Sequence, residues 1–465
     1  METSLNDRRM VGRSRSAARL GFLAGTSSTV AAISLGGALA AVAGTIGPDA
    51  RWLSALGRSI VRLGGVPQGV PFATAPSAGW HNVPVLAELV FHGLQSSLGD
   101  RGLLAAQIMA TVVALVLTAR DARRLGATDT GTAAILVLVL AAGLLSFAGV
   151  RAQLFSLALF PVLVVLLRSE QAAPSQRIWL LPALVALWSN LHGVVLVGLA
   201  LALVYLFGER ARSRPFESAG VAAASLVALC ATPALAMTPR YYADAVGNEA
   251  ARRGYGLWAP LSLHSGFDIL LVAGALLAFA GFLRARPRPW QVFGAVLLAA
   301  LTVHASRNGI WLLLFVAAPA ASALRVTARP PAPLAHGVAL AFAVAGVAGF
   351  VRGPLEIGAS PQFVSEAIGA AHRGPILAEP AAAEQIAQAG GLVWISNPLD
   401  AFTRSDQRLY LDWLQGRAAG RQALRGHPII VVTRGSPAEQ QLSRDRRYSR
   451  RATDGRFRLY VSRSF

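Results

Sequence analysis

Long apolar blocks alternate with short polar links over the first three quarters of the chain. A block of about 17–25 predominantly apolar residues is long enough to cross a bilayer as a helix. The blocks predict eleven spans, at residues 20–46, 101–119, 131–149, 153–168, 178–190, 193–208, 219–238, 268–283, 290–306, 309–324 and 337–351. The pattern therefore predicts a mainly α fold, a polytopic transmembrane helical bundle. The 178–190 block is too short to cross alone, so it is expected to tilt, to thin the bilayer or to stop part-way.

Arginines mark one side of this bundle. They occupy the N-terminus and alternate links, as clusters at 8–19, 120–124, 168–177, 210–214, 284–288 and 325–329. An excess of positive charge in short loops is typical of the cytoplasmic side. The alternation predicts a multi-pass protein of the inner (cytoplasmic) membrane, with a cytoplasmic N-terminus. An odd number of spans places the C-terminal end outside the cytoplasm.

The first apolar block follows arginines and ends near small residues, as a secretory signal does. It runs from Leu20 to Ile46, which is longer than the usual apolar core of a signal peptide, about 7–15 residues. We therefore expect a retained anchor.

Two long loops, 47–100 and 239–267, are expected on the outer side. Residues 50–63 place apolar side chains at helical spacing with arginines between them, which predicts a helix lying in the membrane interface. The second loop is rich in aromatic residues, which predicts a belt at the level of the lipid headgroups. These aromatic residues are Tyr241, Tyr242, Tyr255 and Trp258.

The last hundred residues have a different pattern. Strand-like segments are expected at 391–396, 428–433 and 456–461, and helices at 404–416 and 436–443. Such alternation predicts a small sheet flanked by helices. The chain is thus divided into a membrane domain, 1–351, and a soluble α/β domain, 352–465, outside the cytoplasm.

Composition and charge narrow the class of protein. Hydrophobic residues make up 54% of the chain and charged residues 14%, far below the charge content of a soluble domain. The formal net charge of +20 lies mostly in links between apolar blocks, so no nucleic-acid partner is predicted. A single cysteine, Cys230, excludes an intramolecular disulfide. The sequence has no P-loop, dinucleotide fingerprint or zinc-type spacing.

Three hairpins on the predicted outer side carry polar residues. They are Arg151 with Gln153, Asn190 with His192, and Ser306 with Arg307 and Asn308. Polar groups at membrane depth usually face the bundle interior or a water-filled cavity, which predicts that the three hairpins share one outward-facing pocket. Arginine geometry matches phosphate. The alternatives are arginines that anchor to headgroups, and an asparagine and a histidine that tie a tight turn.

Carboxylates are scarce in the outer loops. Asp49 directly follows the first span, where it is a candidate base or cation ligand, or alternatively a helix N-cap. Glu88 lies among apolar residues, either as a buried carboxyl group with a raised pKa or as the polar face of an interfacial helix.

At these residues the chain resembles a group of bacterial membrane proteins related to the GT-C glycosyltransferases, which include the protein mannosyltransferases. The resemblance covers nearly the whole chain. Its first-loop motif consists of Asp49, Trp52, Gly57, Arg58, Val66, Pro67, Pro71, Phe72, Trp80, Asn82, Leu86 and Glu88. Its later motifs are Arg-x-Gln-Leu-Phe-Ser (151–156), Trp-x-Asn-Leu-His-Gly (188–193) and Arg-Asn (307–308). Leu53, Val70, Val83 and Pro84 stand where related proteins often have His, Asp and a His-Glu pair.

The resemblance implies an inverting transferase that uses a polyprenyl-phosphate sugar at the outer membrane face. Asp49 would deprotonate the acceptor, and Glu88 would position it. The leaving phosphate would be held by Arg151, His192 and Arg307, and the substrate-binding set would also include Gln153, Asn190 and Asn308. The acceptor would be a glycan, a lipid or a protein, and the C-terminal domain would cover the pocket or bind the acceptor. No metal ligand set is predicted, and a divalent cation stays an open alternative.

Two rival interpretations belong to other classes of protein. A degenerate member would no longer transfer sugar and would serve as a membrane scaffold or lipid-binding protein. A transporter would need charges near the midplane or broken helices in matching halves, which the sequence does not contain.

Overall fold

The computed structural model describes residues 26–324, 326 and 330–464. The predicted N-terminal arginine cluster and the start of the first span lie outside these residues, as do Arg325 and Arg329. The elements of the first part are α1 (Ser27–Val42), β1 (Thr45–Ile46), α2 (Pro48–Leu63), α3 (Val85–Leu98), α4 (Asp100–Arg124), α5 (Asp129–Ala142), α6 (Leu144–Ala148), β2 (Gly149–Val150) and α7 (Gln153–Ala172).

The second part continues the bundle. Its helices are α8 (Leu180–Ser189), α9 (Val195–Gly208), α10 (Pro215–Ala228), α11 (Thr238–Val246), α12 (Glu249–Arg252), α13 (Gly266–Arg284), α14 (Pro289–His304), α15 (Gly309–Ala323) and α16 (Ala332–Arg352). Each of the eleven predicted apolar blocks therefore contains a helix, and the block 131–149 is divided between α5 and α6. Four of these helices, α4, α7, α13 and α16, are long and apolar enough to cross a membrane by length and composition.

Helix α8 is short, as the length of the apolar block 178–190 predicts. It has 10 residues, which span only about 15 Å at 1.5 Å per residue, against about 30 Å of hydrocarbon. A 3-10 turn over Gln176–Trp179 precedes it. The described helix therefore covers about half of that thickness.

Helix α15 forms the centre of the bundle. All of its residues from Gly309 to Ala321 are buried, as expected for a helix that is apolar on every side. It packs against α4, α5, α13 and α14. The outer faces of α13 and α16 instead expose large apolar side chains, such as Leu276 and Val347, which would be costly in water and suit lipid. The chain is thus a polytopic membrane bundle.

The C-terminal α/β region, residues 354–464, packs on one end of the bundle. Its elements are α17 (Pro361–Ala370), β3 (Leu377–Ala378), α18 (Pro380–Gln388), α19 (Arg404–Leu414), β4 (Ile429–Thr433), α20 (Pro437–Ser443), β5 (Tyr448–Asp454) and β6 (Phe457–Ser462). The sheet order is β3-β4-β6-β5, with β3 and β4 parallel and the other pairs antiparallel. Strand β4 is almost fully buried, which agrees with its continuous apolar run.

The segment 391–396 is not one of the four strands above, but its Val393 forms a parallel bridge with Ile376, directly before β3. Its other edge bonds to the first loop: Val393 N–H donates to the Phe72 carbonyl, and Thr74 N–H donates to the Val393 carbonyl over 2.9 Å. Apolar alternation predicts extended backbone but cannot name the pairing partner. The segment ties the C-terminal α/β region to the first loop.

The helix predicted over 50–63 is confirmed as α2, but its apolar face is not free for lipid. Trp52, Leu53 and Leu56 are buried in protein, where α2 packs against α3 and α18. Arg58 donates to the Ala387 carbonyl over 2.9 Å at the end of α18. Gly57 allows the close crossing of α3, since a Cβ there would lie 2.1 Å from the Glu88 carbonyl oxygen. Helix α2 therefore packs between the bundle and the C-terminal α/β region, with most of its residues buried.

Candidate active site

A two-residue parallel ladder places Asp49 beside Arg151. Thr45 pairs with Gly149 and Ile46 with Val150, and the Gly47 N–H donates to the Val150 carbonyl over 3.0 Å. A Cβ at Gly47 would lie 2.9 Å from that carbonyl oxygen, so the close approach needs glycine. The aspartate follows β1 by three residues and the arginine follows β2 by one. The ladder thus brings together side chains about a hundred positions apart in the chain.

Asp49 is not the helix N-cap. Helix α2 has Gly47 at its N-cap and Pro48 at its first position, so Asp49 lies inside the first turn. A carboxylate there is stabilised by the helix dipole without serving as the cap. Its side chain lines a cavity, described next, which leaves it available to a ligand.

This central cavity has a volume of about 360 Å³ and lies between the bundle and the C-terminal α/β region. Four of the predicted site residues line it, namely Asp49, Arg151, His192 and Arg307. Aromatic residues of the second loop also line it: Tyr241, Tyr255 and Trp258. The headgroup belt expected for these three rings is therefore corrected, since the loop folds over the cavity.

Arg307 is fixed in this wall by an aromatic ring. Its guanidinium lies 3.9 Å from the centre of the Trp258 ring, a cation–π contact. Burial lowers the pKa of Arg307, Asp49 opposes that shift and the neighbouring Arg151 adds to it. Among the described residues, neither Arg151 nor Arg307 forms an ion pair or donates a hydrogen bond. The two arginines thus share Asp49 as a neighbouring carboxylate, without a direct ion pair.

His192 is held as a neutral ring. Ser156 on α7 lies 2.7 Å from His192 Nδ1, and the Trp188 indole N–H donates to the same hydroxyl over 2.7 Å. When the hydroxyl donates to Nδ1, the ring carries its proton on Nε2, where it can donate to a ligand. Burial, and then the charge of Arg307, lower the pKa of His192 to about 3. The imidazole is therefore an uncharged donor at neutral pH.

A second space adjoins the central cavity on the bundle side. This side groove has a volume of about 490 Å³ and runs between α5, α6, α13 and the start of α15. Arg151 and Arg307 line both spaces, and Gln153 lines the side groove. Most of its other walls are apolar, with Leu144, Phe267 and Leu271 among them. The arginines consequently stand where an apolar groove meets a polar cavity.

The remaining predicted site residues do not reach the cavity. The Asn190 amide donates to the Ala186 and Ala231 carbonyls, and the Asn308 amide donates to the Leu301 carbonyl over 3.1 Å. Both side chains stabilise turns. For Asn190 this is the alternative interpretation given in the sequence analysis. Glu88 is fully buried and accepts a hydrogen bond from Asn82 over 2.7 Å. Burial raises the pKa of Glu88 to about 8, although the bond from Asn82 opposes it.

The C-terminal α/β region supplies polar groups that the sequence did not single out. Ser396, Asn397 and Asp400 line the central cavity. Asn397 donates to Glu384, a buried carboxyl whose second oxygen has no partner and whose pKa burial raises well above its usual range. Burial likewise raises the pKa of Asp400 to about 6, opposed by a hydrogen bond from Trp80. No local sequence pattern marks Ser396, Asn397 or Asp400 as site residues. The cluster of aromatic residues around Trp258, in contrast, is visible in the sequence of the second loop.

The described residues contain no group of three or more His, Cys, Asp or Glu side chains placed to hold a metal ion. The charged side chains that line the central cavity are two carboxylates, Asp49 and Asp400, and two arginines, Arg151 and Arg307.

Comparison with known proteins supports the fold. No protein-family model matches the chain, and no curated protein sequence matches it significantly. A mutant form of the arabinofuranosyltransferase AftD from Mycobacteria superposes with a TM-score of 0.52 at 17% identity, over 94% of this chain and 41% of that chain. ArnT from Cupriavidus metallidurans, solved with undecaprenyl phosphate, gives a TM-score of 0.49 at 14% identity, over 96% and 98% of the two chains.

The apo form of the same ArnT gives a TM-score of 0.48 at 15% identity. The chain spans less than half the length of AftD. The superposition with AftD confirms the architecture expected from the sequence. The protein has a GT-C-like fold, a polytopic helical bundle with a small α/β region at its C-terminus.

Proposed function

We propose that this protein is a membrane glycosyltransferase that moves a sugar from a polyprenyl-phosphate donor to an acceptor hydroxyl group. The observation that carries the proposal is the position of Arg151 and Arg307 at the junction of the side groove and the central cavity. A lipid phosphate at that junction would find two guanidinium groups and the His192 N–H. Its apolar chain would follow the side groove.

The arginines suit the phosphate for an electrostatic reason. Arg151 and Arg307 repel each other, and the single carboxylate beside them, Asp49, offsets only part of their charge. Bidentate hydrogen bonds from guanidinium to phosphate are among the strongest in proteins. Phosphate binding would therefore relieve the repulsion and stabilise the charge that develops on the leaving group.

Asp49 is assigned as the general base. It would take the proton of the acceptor hydroxyl while that oxygen forms a bond to the anomeric carbon. The bond from this carbon to the phosphate oxygen breaks, and its electron pair leaves with polyprenyl phosphate. One direct displacement inverts the anomeric centre. Neither Glu88, Asn190 nor Asn308 enters this scheme, because none of them lines the cavity.

The substitution Asp49→Asn tests this assignment. General-base help is typically worth 10²–10⁴-fold, so transfer should fall by about that factor. Full-length protein in nanodiscs would be given polyprenyl-phosphate arabinose, mannose and glucose in turn with a membrane extract as acceptor. The product would be counted as acceptor-bound sugar. The folded fraction should not change, since Asn is tolerated in a first turn.

Asp100→Asn is the matched control. This aspartate belongs to the same loop, pairs with Arg51 over 3.0 Å and lies outside the central cavity. Its substitution should leave transfer within about twofold, as a half-exposed ion pair contributes little. Equal activity of the Asp49→Asn protein and the wild type would refute the base assignment.

The proposed orientation follows from the arginine-rich links. The cavity and the C-terminal α/β region lie at the end of the bundle opposite the links at 120–124 and 210–214, which we assign to the cytoplasm. An alkaline phosphatase fusion after Phe465 should be active, since this reporter works only outside the cytoplasm. A well-expressed but inactive fusion, with a fluorescent cytoplasmic reporter at the same site, would reverse the assignment.

A non-catalytic lipid-binding protein is the second candidate. Leu53 and Pro84, which replace polar residues of the related proteins, both line the central cavity, so part of its wall is apolar. This candidate retains lipid binding at the arginines and loses transfer. It predicts that the wild-type protein binds undecaprenyl phosphate and transfers sugar from none of the three donors.

A further inference from the structure

An outer cleft opens beside the central cavity. It lies between the first-loop residues 76–81, helix α11 and residues 400–407, and it has a volume of about 480 Å³. Tyr241, Asn248 and Asp400 line both this cleft and the central cavity. The two spaces therefore adjoin at these residues, and a ligand in the outer cleft would meet the central cavity there.

An aromatic corner forms one side of this boundary. The rings of Trp80 and Tyr241 lie 6.3 Å apart at an angle of 54°. The Trp80 indole N–H donates to the Asp400 carboxylate over 3.1 Å, which fixes both the ring and the carboxylate. Aromatic rings pack against the C–H face of a sugar, and a carboxylate accepts hydrogen bonds from its hydroxyl groups. The corner offers both kinds of contact side by side.

The charged side chains that line the outer cleft balance each other. They are two arginines, Arg240 and Arg404, and two carboxylates, Asp244 and Asp400. Asp244 is paired with Arg240 at 3.9 Å. There is thus no excess of positive charge to attract an anion, and Asp400, at the boundary with the central cavity, repels one. The outer cleft therefore suits a neutral molecule with many hydroxyl groups.

We propose that the outer cleft is an acceptor subsite for a neutral glycan. A sugar unit packs on the partly exposed ring of Tyr241, which the buried Trp80 supports, and donates a hydroxyl to Asp400. The next unit passes Asn248 and presents its hydroxyl to the central cavity. This inference rests on the proposed function, because it names the acceptor class for the same site.

Saturation-transfer NMR on the full-length protein in nanodiscs tests the subsite. The probes are three neutral trisaccharides (α-1,6-mannotriose, α-1,5-arabinotriose and maltotriose) and one anionic trisaccharide, trigalacturonic acid. At least one neutral probe should bind, and the anionic probe should bind at least about tenfold more weakly. Loss of a hydrogen bond to a charged group costs about tenfold or more in affinity, so Asp400→Asn should weaken the neutral probe by that factor.

The variants separate this subsite from the lipid site. Asp400→Asn keeps an oxygen that can accept the hydrogen bond from Trp80. Trp80→Phe keeps an aromatic ring but loses the N–H donor. Both substitutions preserve the shape of the side chain closely enough for the protein to fold. Trp179→Ala, at an exposed tryptophan far from the outer cleft, is the control and should not change binding. Undecaprenyl phosphate, measured by native mass spectrometry, should bind Trp80→Phe and Trp179→Ala as it binds the wild type.

Two outcomes would overturn the subsite. One is that no neutral trisaccharide binds the wild type, and the other is that Asp400→Asn and Trp80→Phe leave neutral binding unchanged. Neither outcome touches the proposed function while undecaprenyl phosphate still binds. Conversely, loss of undecaprenyl phosphate binding with retained trisaccharide binding would contradict the donor site and leave the outer cleft intact.

Discussion

The two ends of the bundle handle arginine in opposite ways. At the arginine-rich end, Arg168 donates to Asp121 and to the Phe315 carbonyl, and Arg210 pairs with Glu170 at 2.7 Å. At the cavity end, Arg151 and Arg307 face each other across a cavity wall without an ion pair among the described residues. Both pairs are removed from bulk water, but only one has its charge neutralised by the protein.

This difference teaches which buried charges are structural. A buried ion pair with its hydrogen bonds complete holds elements together, and Arg210 joins α7 to α10 through Glu170 and Glu217. A partly buried cation beside another cation costs free energy that the fold must offset elsewhere. We infer that the second arrangement persists because an anionic ligand completes it.

Substitution in the arginine-rich end should give the largest loss of stability. Arg210→Gln leaves the buried Glu170 without its partner, and breaking such a pair costs about 3–5 kcal/mol. The thermal midpoint in detergent should fall sharply, as followed by fluorescence-detected gel filtration. Arg214→Gln is the control, because Arg214 pairs with the same Glu217 at 3.1 Å but is exposed, and it should cost under about 1 kcal/mol. Equal losses of stability in Arg210→Gln and Arg214→Gln would contradict the claim that the buried ion pair is structural.

Glu88→Gln should stabilise the protein at alkaline pH. The folded pKa of about 8 lies above the ordinary value of 4.5, so the folded state holds a proton that the unfolded state releases. The contribution is complete below pH 4.5 and is lost as pH rises through 8. At pH 7 the free-energy cost amounts to about 3 kcal/mol, which glutamine avoids while it pairs with the Asn82 amide.

Thermal melts from pH 5 to pH 8.5 check this prediction. The wild-type midpoint should fall across the range, and the Glu88→Gln midpoint should fall less. Parallel curves would mean that the carboxyl is ionised in the fold. Transfer activity should stay near the wild-type level, because Glu88 does not line the central cavity.

Arg307→Gln should have the smallest effect on stability. Removing one of two neighbouring cations relieves repulsion, while the loss of the attraction to Asp49 and of the stacking contact on Trp258, worth about 0.5–1 kcal/mol, opposes it. The thermal midpoint should therefore change by the equivalent of about 1 kcal/mol or less. A fall as large as that of Arg210→Gln would make Arg307 a structural residue.

The sequence predicted the bundle because each span carries its own signal. An apolar block such as 309–324 specifies a buried helix without reference to any distant residue. The same reasoning placed Asp49, Arg151, His192 and Arg307 on one side, and the structure brings these four side chains to one cavity. The alternation of arginine-rich links between successive spans is enough to predict at which end of the bundle a hairpin lies.

Contacts between distant segments could not be predicted in this way. The two-residue ladder of β1 with β2 is too short to show periodicity, yet it sets Asp49 beside Arg151. The extended segment 391–396 pairs with the first loop on one edge and with Ile376, directly before β3, on the other. For the same reason Asp400 was missed, since its place in the wall depends on how the C-terminal α/β region docks.

The affinity for undecaprenyl phosphate tests the central claim most directly. Native mass spectrometry would compare wild-type protein with Arg151→Gln, Arg307→Gln, the double variant, and Arg284→Gln as an exposed arginine at the end of α13. Each hydrogen bond to a charged group is worth about 1.5–3 kcal/mol, so each single cavity variant should lose about tenfold or more, and the double variant more still. Arg284→Gln should bind as the wild type does. Undiminished binding by the double variant would contradict the account.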